Sequence, residues 1–180
     1  MEQKSLKWKL LVTFVLVAAC VVGFGSLIHP FGRVKTVVSP APLFADASVP
    51  SPVIEIVSRS CQNCHSEKTE WPVYSYVAPA SWMVEKDVRD GRSHMNLSRW
   101  NDYDSGQRQE LLSRIGSLVR NHRMPLPQYL LLHPEARLSD SDVNQLYQWT
   151  RSERKRLKAT ELPPASAETI PGPLISGASR

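Results

Sequence analysis

The chain has 180 residues, of which 42% are hydrophobic, and its formal net charge is +5. Three lysines against one glutamate in residues 1–9 supply +2 of this charge, which leaves +3 for the rest of the chain. So weak a basic excess, without a stripe of basic and aromatic residues, argues against nucleic acid as a partner. The length allows one domain with additional segments, and three cysteines are too few for a disulfide framework.

The first predicted element is an apolar segment from Leu10 to Ile28, which contains no charged residue. As a helix it would extend about 28 Å, close to the thickness of the hydrocarbon core of a bilayer. The denser cluster of lysines precedes the segment, so the positive-inside rule leaves the N-terminus in the cytoplasm. We therefore predict that residues 1–30 form a single-pass signal-anchor in a bacterial inner membrane, with the remaining chain in the periplasm.

Two alternatives for this segment remain open. Residues 17–20 resemble the processing box of bacterial lipoproteins, in which Cys20 would carry the lipid. A cleaved signal peptide is the second alternative, although its apolar core would be shorter. The apolar run continues beyond Cys20 to Ile28, which favours an uncleaved anchor. All three interpretations export the remaining chain.

Composition divides the rest of the chain into three parts. Residues 31–51 are interrupted by prolines and keep no apolar period, which is typical of a linker. Residues 159–180 are rich in Pro, Ser, Ala and Gly and predict a disordered tail. The domain is therefore expected to span residues 52–158.

Within this domain the predicted elements are helices. Ser51 can cap a first helix that starts at Pro52. A short helix is predicted from Ala80 to Asp90, ended by Gly91. Met83 lies at helical spacing in this segment and is expected in the core.

Two further helices have stronger signals. Asp104 or Ser105 starts the first of them. Its apolar residues recur at helical spacing: Leu111, Leu112, Ile115, Leu118 and Val119. Ser139 and Asp142 fit a capping box for the last helix. We find no run of alternating strand residues, so the domain is predicted to be all-α.

The pattern C-x-x-C-H at Cys61, Cys64 and His65 is the attachment motif of c-type haem. Two thiols three positions apart near a helix start can each reach one vinyl group of the porphyrin, and the next residue then directs its imidazole at the iron. The motif predicts one covalently bound haem c, with His65 as an axial ligand. The domain is accordingly predicted to be a small cytochrome c-like helical fold around this haem.

Other chemistries of the cysteine pair fit less well. A thioredoxin-like redox pair requires a βαβ context, which the sequence does not show. A zinc site requires four ligands, usually with a second close pair. The remaining histidines form no such pair: His29, His94, His122 and His133. A disulfide between Cys61 and Cys64 is possible in an oxidising compartment, but it would leave His65 without a role.

Met124 is the preferred candidate for the second axial ligand. It lies in a Pro-rich segment outside any clear helix, where rigid backbone can present the thioether. The alternatives are an open site, filling of the core by Met124, and ligation by another residue. His94 and Met95 are the main rivals, while His122 and His133 are expected to be structural or exposed.

Side chains around the haem can also be proposed. Aromatic residues cluster after the motif and are expected to form the core and the haem pocket: Trp71, Tyr74, Tyr76, Trp82 and Trp100. Arg92 and Arg99 are candidates for pairing with the propionates, although surface arginines are usually solvated.

These motifs resemble, in order, those of a known family, the bacterial haem-binding domain proteins of c-type cytochrome character. The resemblance covers roughly residues 52–150 and rests on the segments 61–66, 69–75, 78–82, 87–92, 96–100, 124–125 and 129–139. It implies haem attachment at Cys61 and Cys64, His65 as one ligand, and the Met-Pro element at Met124 as the sixth. Leu126 separates two prolines that are adjacent in many members.

Two functions are compatible with these patterns. The leading hypothesis is a one-electron carrier that is not an enzyme and exchanges electrons with redox proteins at the membrane or in the periplasm. A haem enzyme or sensor of peroxidase-like or gas-binding type, with a labile sixth ligand, is the alternative.

Overall fold

The computed structural model describes residues 2–34, 37 and 40–161. All regular structure in this part of the chain is helical, which confirms the predicted fold class. The α-helices are α1 (Glu2–Ser26), α2 (Ser51–Ser60), α3 (Gln62–His65), α4 (Ala80–His94), α5 (Ser105–Arg120), α6 (Pro127–Leu132) and α7 (Asp140–Glu161). Short 3₁₀ helices cover Val73–Tyr76, Leu97–Asp102 and Pro134–Ala136. Helix α7 continues through Glu161, and the rest of the predicted tail lies outside the described residues.

Helix α1 carries the apolar N-terminal segment. Residues 5–24 are exposed along its length. The stretch Ser5–Ser26 is long and apolar enough to cross a membrane, a test that a signal sequence near an N-terminus also passes. Along residues 5–24, no described part of the chain covers this apolar surface.

The core lies between α2, α5 and α7. Its buried apolar side chains include Val53, Ile56, Val57, Leu112, Val119, Leu146, Trp149 and Leu157. Helices α5 and α7 approach closely at Gly116, where an added Cβ would lie 2.8 Å from Oγ1 of Thr150. The predicted apolar stripe of α5 therefore does face a core.

The segment between α1 and α2 contributes to this core through Phe44. Its ring is 2% exposed and packs edge-on against Trp100, at 4.8 Å between centroids, and against Trp149, at 4.9 Å. The Phe44 amide donates to the carbonyl of Leu97 (3.0 Å), and the Trp149 indole donates to the carbonyl of Ser48 (2.9 Å). Part of the predicted linker is thus packed against the domain.

Two predicted helix starts are confirmed. The Asp104 carboxylate accepts from the backbone N–H of Gln107, and the Gln107 side chain accepts from the backbone N–H of Asp104. These two bonds form a complete capping box at the start of α5. Ser139 and Asp142 form the same reciprocal bonds at α7.

The start predicted for α2 is wrong. Pro50 is its N-cap residue and Ser51 is already helical, with no capping bond from a side chain. The Pro50 ring fixes φ near −62°, so the chain enters the helix from an extended conformation without a polar cap.

Helix α4 also differs from its prediction, because it continues past Gly91 to His94. An added Cβ at Gly91 would lie 2.5 Å from the carbonyl oxygen of Cys64, so this glycine permits the close approach of α3. Met83 is not in the core, since 56% of it is exposed. The buried face of α4 is formed instead by Ser81, Glu85 and Val88.

Candidate haem site

A cavity of about 430 Å³ opens between α3, α4, α5 and the chain that leads into α6. Its volume lies within the range of pockets for small molecules and cofactors. The apolar wall is formed by Leu111, Ile115, Leu118, Val119, Pro125 and Leu126. The apolar stripe of α5 therefore contributes both to the core and to the cavity wall. Leu112 is buried in the core, whereas neighbouring residues of the stripe line the cavity.

Cys61, Cys64 and His65 all line this cavity. Helix α2 ends at Ser60, and Cys61 leaves the helical conformation with φ −127° and ψ −31°. A new turn then begins, in which the His65 amide donates to the carbonyl of Cys61 at 3.0 Å. This break between α2 and α3 directs both thiols and the imidazole to the same side.

Hydrogen bonding fixes the tautomer of His65. Its Nδ1 atom lies 3.2 Å from the carbonyl oxygen of Met95. A carbonyl only accepts, so Nδ1 carries the proton and Nε2 keeps its lone pair. Burial lowers the pKa of His65, against the raising effect of hydrogen bonds to the Met95 and Gly91 backbone, so the ring is neutral at pH 7. A neutral imidazole with a free Nε2 is the form that binds metals.

The two thiols are both free in the structure. Burial raises the pKa of Cys61 to about 12, with a further increase from the charge of Cys64. Burial and the charge of Asp87 raise the pKa of Cys64 to about 11. Among the described residues no strand precedes the pair, and this helical context disfavours the thioredoxin-like alternative, which requires a βαβ unit.

Met124 lines the same cavity and is half-buried. It follows a tight turn at the end of α5, where His122 has a positive φ of 52° and the Arg123 amide donates to the carbonyl of Leu118 at 2.9 Å. Pro127 then starts α6. Four residues predicted to bind the cofactor are thus brought together at one cavity: Cys61, Cys64, His65 and Met124.

The rival ligands occupy different positions. His94 and Met95 also line the cavity, at the C-terminal end of α4, and Nδ1 of His94 lies 2.7 Å from the carbonyl of Asp90. His133 is engaged elsewhere, with Nε2 at 2.6 Å from the Tyr74 hydroxyl and Nδ1 at 3.0 Å from the Glu135 carboxylate. His122 is exposed.

The surroundings predicted for the haem are confirmed only in part. Among the described residues that line the cavity, none of the five predicted aromatics appears, and the aromatic wall is Tyr129. Trp100 is in the core. Arg92 donates instead to the carbonyl of Ser66 (2.8 Å), and Arg99 pairs with Asp102 (2.6 Å).

The basic groups at the cavity are Lys86 and Arg114, which sequence patterns did not single out. Lys86 pairs with Asp90 at 2.7 Å, whereas Arg114 lies 3.9 Å from Glu110 and keeps most of its side chain exposed. On α5, Arg114 lies within one turn of three residues that line the cavity: Leu111, Ile115 and Leu118. The apolar stripe predicted for this helix is therefore the sequence feature that could have identified Arg114 as a cavity residue.

The cavity fits a haem by the chemistry of its lining. It offers two thiols, a neutral imidazole, a thioether, a broad apolar wall and a basic group at its edge. In the described part of the chain, no group of three or more His, Cys, Asp and Glu side chains forms a site for a bare metal ion. Two thiols, an imidazole and a thioether beside a broad apolar wall are side chains that suit a metal held within an apolar macrocycle.

Comparisons with known proteins agree with this chemistry. A family model described as a haem-binding domain matches residues 20–152. Cytochrome c peroxidase Ccp of Escherichia coli (strain K12) is 25% identical over 105 residues, which are 57% of this chain and 23% of that protein. The chain thus spans less than a quarter of the length of this curated relative. No solved structure matches the chain significantly.

Proposed function

The chain belongs to the haem-binding domain family, and we propose that it is a membrane-anchored, periplasmic c-type cytochrome that transfers single electrons. In this proposal one haem c is bound covalently through Cys61 and Cys64. His65 and Met124 would hold its iron. Redox proteins at the membrane or in the periplasm are its partners.

One observation carries the proposal. Both thiols of the C-x-x-C-H motif, the His65 ring and the Met124 thioether line a single cavity of about 430 Å³. His65 and Met124 lie 59 positions apart in the sequence and reach this cavity from separate segments of the chain. A shared cavity is what two-sided ligation of one iron requires.

The position of Met95 favours Met124 over the rival ligands. The Met95 carbonyl accepts from Nδ1 of His65, and Nδ1 is the ring nitrogen remote from the coordinating Nε2. His94 precedes Met95 in the chain and lies close enough to His65 to lower the pKa of His65. Both rivals therefore belong to the His65 side of the site, whereas Met124 comes from the segment after α5.

The roles of the chain's own residues follow from these contacts. Bound haem would supply an iron that changes oxidation state by one electron. His65 is held in one tautomer by the Met95 carbonyl, so its ring does not reorient during transfer. Leu111, Ile115 and Leu118 exclude water from the cavity wall. Arg114 is the basic side chain that could pair with carboxylates of a bound haem, because Lys86 already pairs with Asp90.

Membrane attachment rests on α1. Its apolar stretch Ser5–Ser26 is long enough to span a bilayer, and residues 5–24 of it are exposed. Lysines at its N-terminal side orient it with the domain outside the cytoplasm. Protease added to spheroplasts should digest the domain, and Cys20→Ser should leave both membrane retention and mass unchanged. Loss of a lipid-sized mass in this variant would favour the lipoprotein.

The similarity to cytochrome c peroxidase Ccp favours a second candidate, a haem enzyme with a labile sixth position. The shared 105 residues form only 23% of that protein, so its activity can reside in the remainder. An electron carrier is the better match, because the cavity contains a thioether, that of Met124, which could occupy the second ligand position of the iron.

Carbon monoxide separates the two candidates. The purified, reduced full-length protein should change its visible spectrum little when the gas is added, because His65 and Met124 occupy both axial positions. Met124→Ala should respond strongly and serves as the matched control. If the wild type responds as strongly as Met124→Ala, the enzyme or sensor replaces the carrier.

A further inference from the structure

The last turn of α1 is bonded directly to the start of α4. The indole N–H of Trp82 donates to the carbonyls of Gly25 (3.1 Å) and Ile28 (2.9 Å), and the Ala78 amide donates to Oγ of Ser26 (3.0 Å). Gly25 is buried against Ala78, where an added Cβ would lie 3.3 Å from the Ala78 Cβ. The end of the apolar helix is thus packed against the domain.

A second set of contacts follows immediately along the chain. Nδ1 of His29 lies 2.5 Å from the buried carboxylate of Glu85. Arg89 donates to the carbonyl of Phe31 at 3.0 Å and stacks over its ring at 5.3 Å. Contacts at three successive turns of α4 fix the direction in which α1 leaves the domain.

Apolar side chains are left exposed beside this joint. The exposed fractions are 84% for Val73, 66% for Tyr76, 46% for Val77 and 56% for Met83. Val77 precedes Ala78 and Met83 follows Trp82, the two residues bonded to α1. Clustered exposed apolar residues mark an interaction surface on a soluble domain. We call these four residues the apolar rim.

We propose that the apolar rim rests in the headgroup region of the outer leaflet, so that the domain lies against the lipid surface. The inference depends on the proposed membrane anchoring of α1. A helix over Ser5–Ser26 extends about 33 Å, close to the hydrocarbon thickness, which brings Ser26 to the interface. Ala78 and Trp82, which are bonded to Ser26 and its neighbours, are therefore held at the depth of the interface.

The chemistry of the joint suits this level of the bilayer. Tryptophan and tyrosine are enriched at membrane interfaces, where an apolar ring and a polar tip are both accommodated. Trp82 donates to the carbonyl of Gly25 in the last turn of α1, which also accepts from the Ile28 amide, and to the carbonyl of Ile28 just beyond the helix. Tyr76 presents its ring on the exposed side of the 3₁₀ helix Val73–Tyr76.

Helix α4 then links the surface to the cavity. It begins at the joint, and Gly91 lines the cavity nine residues after Trp82. Nine residues of helix rise about 14 Å. The cavity wall at Gly91 therefore lies at most about 14 Å further from the lipid than Trp82 does. A haem held so near the surface is accessible to a redox partner embedded in the membrane.

Photolabelling by lipid tests the proposal. Full-length haem-loaded protein is inserted into vesicles of phosphatidylethanolamine and phosphatidylglycerol that contain a phospholipid with a diazirine at the headgroup level. Mapped adducts should appear in the peptides of the apolar rim as well as in α1. The control is the exposed face of α7, including Gln148 and Ser152, because α7 packs mainly against α2 and α5. This face should remain unlabelled.

The outcomes are distinguishable. Absence of adducts in α1 would refute the proposed anchoring itself. Adducts in α1 without adducts in the rim would refute the inference alone, as would equal labelling of the exposed face of α7. Val77→Asp with Met83→Asp should lower rim labelling severalfold at an unchanged haem spectrum, whereas Gln148→Asp on the exposed face of α7 should change neither. A rim that is unlabelled in vesicles but protected in native membranes would indicate a protein partner and overturn the lipid proposal.

Discussion

The Nδ1 atom of His65 lies 3.2 Å from the backbone carbonyl oxygen of Met95. This contact ties the proposed axial ligand to the segment that follows α4. It fixes the ring as the tautomer with a free Nε2. The proposal that Met124 rather than His94 is the second iron ligand rests on this contact, because it places the end of α4 beside Nδ1 of His65.

We expect Met124→Ala to open the sixth position of the iron. A thioether ligand raises the reduction potential and keeps the iron low-spin. The variant should therefore bind carbon monoxide, lose any sulfur-to-iron(III) absorption at the red edge, and have a lower potential. These properties are measured by visible spectroscopy and redox titration.

His94→Ala is the matched control, since His94 lines the same cavity from α4. Its spectrum and potential should remain those of the wild type. If His94→Ala changes both while Met124→Ala changes neither, the ligand assignment is wrong.

Gly91→Ala should impair haem incorporation. The new methyl group would lie 2.5 Å from the carbonyl oxygen of Cys64, so α3 must shift away from α4. Such overpacking costs about 1–3 kcal/mol, and it displaces the segment that carries the thiols. The ratio of haem to protein measures the effect. Gly23→Ala, where nothing lies within 4 Å of the added carbon, should keep the wild-type ratio. Equal ratios in both variants would show that the close approach is unimportant.

Phe44→Ala should lower the free energy of unfolding by about 3–5 kcal/mol, the range for a large buried aromatic. Its ring bridges Trp100 and Trp149 in the core. Denaturant unfolding of the haem-loaded protein measures the change. Leu131→Ala removes an exposed side chain and should stay within about 0.5 kcal/mol of the wild type. A similar small effect for Phe44→Ala would mean that residues 43–49 are not part of the fold.

The stability contribution of Asp142 should depend on pH. Hydrogen bonds from Ser139 and Arg59, together with the Arg59 charge, hold its pKa below the usual value despite the opposing effect of burial. A lowered pKa in the folded state stabilises the fold above the unfolded pKa, and the contribution is lost as the pH falls through the folded value. Asp142→Asn should cost about 0.5–1 kcal/mol at pH 7.

The difference between Asp142→Asn and the wild type should close in acid, where both side chains are neutral. Unfolding curves at several pH values measure this. Asp140→Asn, an exposed aspartate in the same turn of α7, controls for general charge effects. A difference that persists unchanged in acid would contradict the ionic role of Asp142.

Local signals in the sequence predicted the local features of the fold. The capping boxes at Asp104 and Ser139 depend on residues three positions apart, so spacing alone reveals them. The C-x-x-C-H motif is also local, and it predicted three side chains on one cavity. Met124 was predicted by its Pro-rich context, and the structure brings it to the same cavity.

Features that depend on distant partners could not be predicted in this way. Gly91 has the same appearance in sequence whether it ends a helix or admits a neighbouring carbonyl, and only the position of Cys64 distinguishes the two. Phe44 lies in a segment without an apolar period, and its partners are 56 and 105 residues away. Met83 has helical spacing, but the buried face of α4 is a different one.

The intact mass of the denatured protein tests the central claim most directly. The full chain is expressed with the cytochrome c maturation machinery, denatured, and extracted with acidified solvent before mass spectrometry. The account predicts a polypeptide heavier by one haem for the wild type and for Cys20→Ser, and a bare polypeptide for Cys61→Ala with Cys64→Ala. A wild-type polypeptide of bare mass, with its haem in the solvent phase, would contradict covalent attachment.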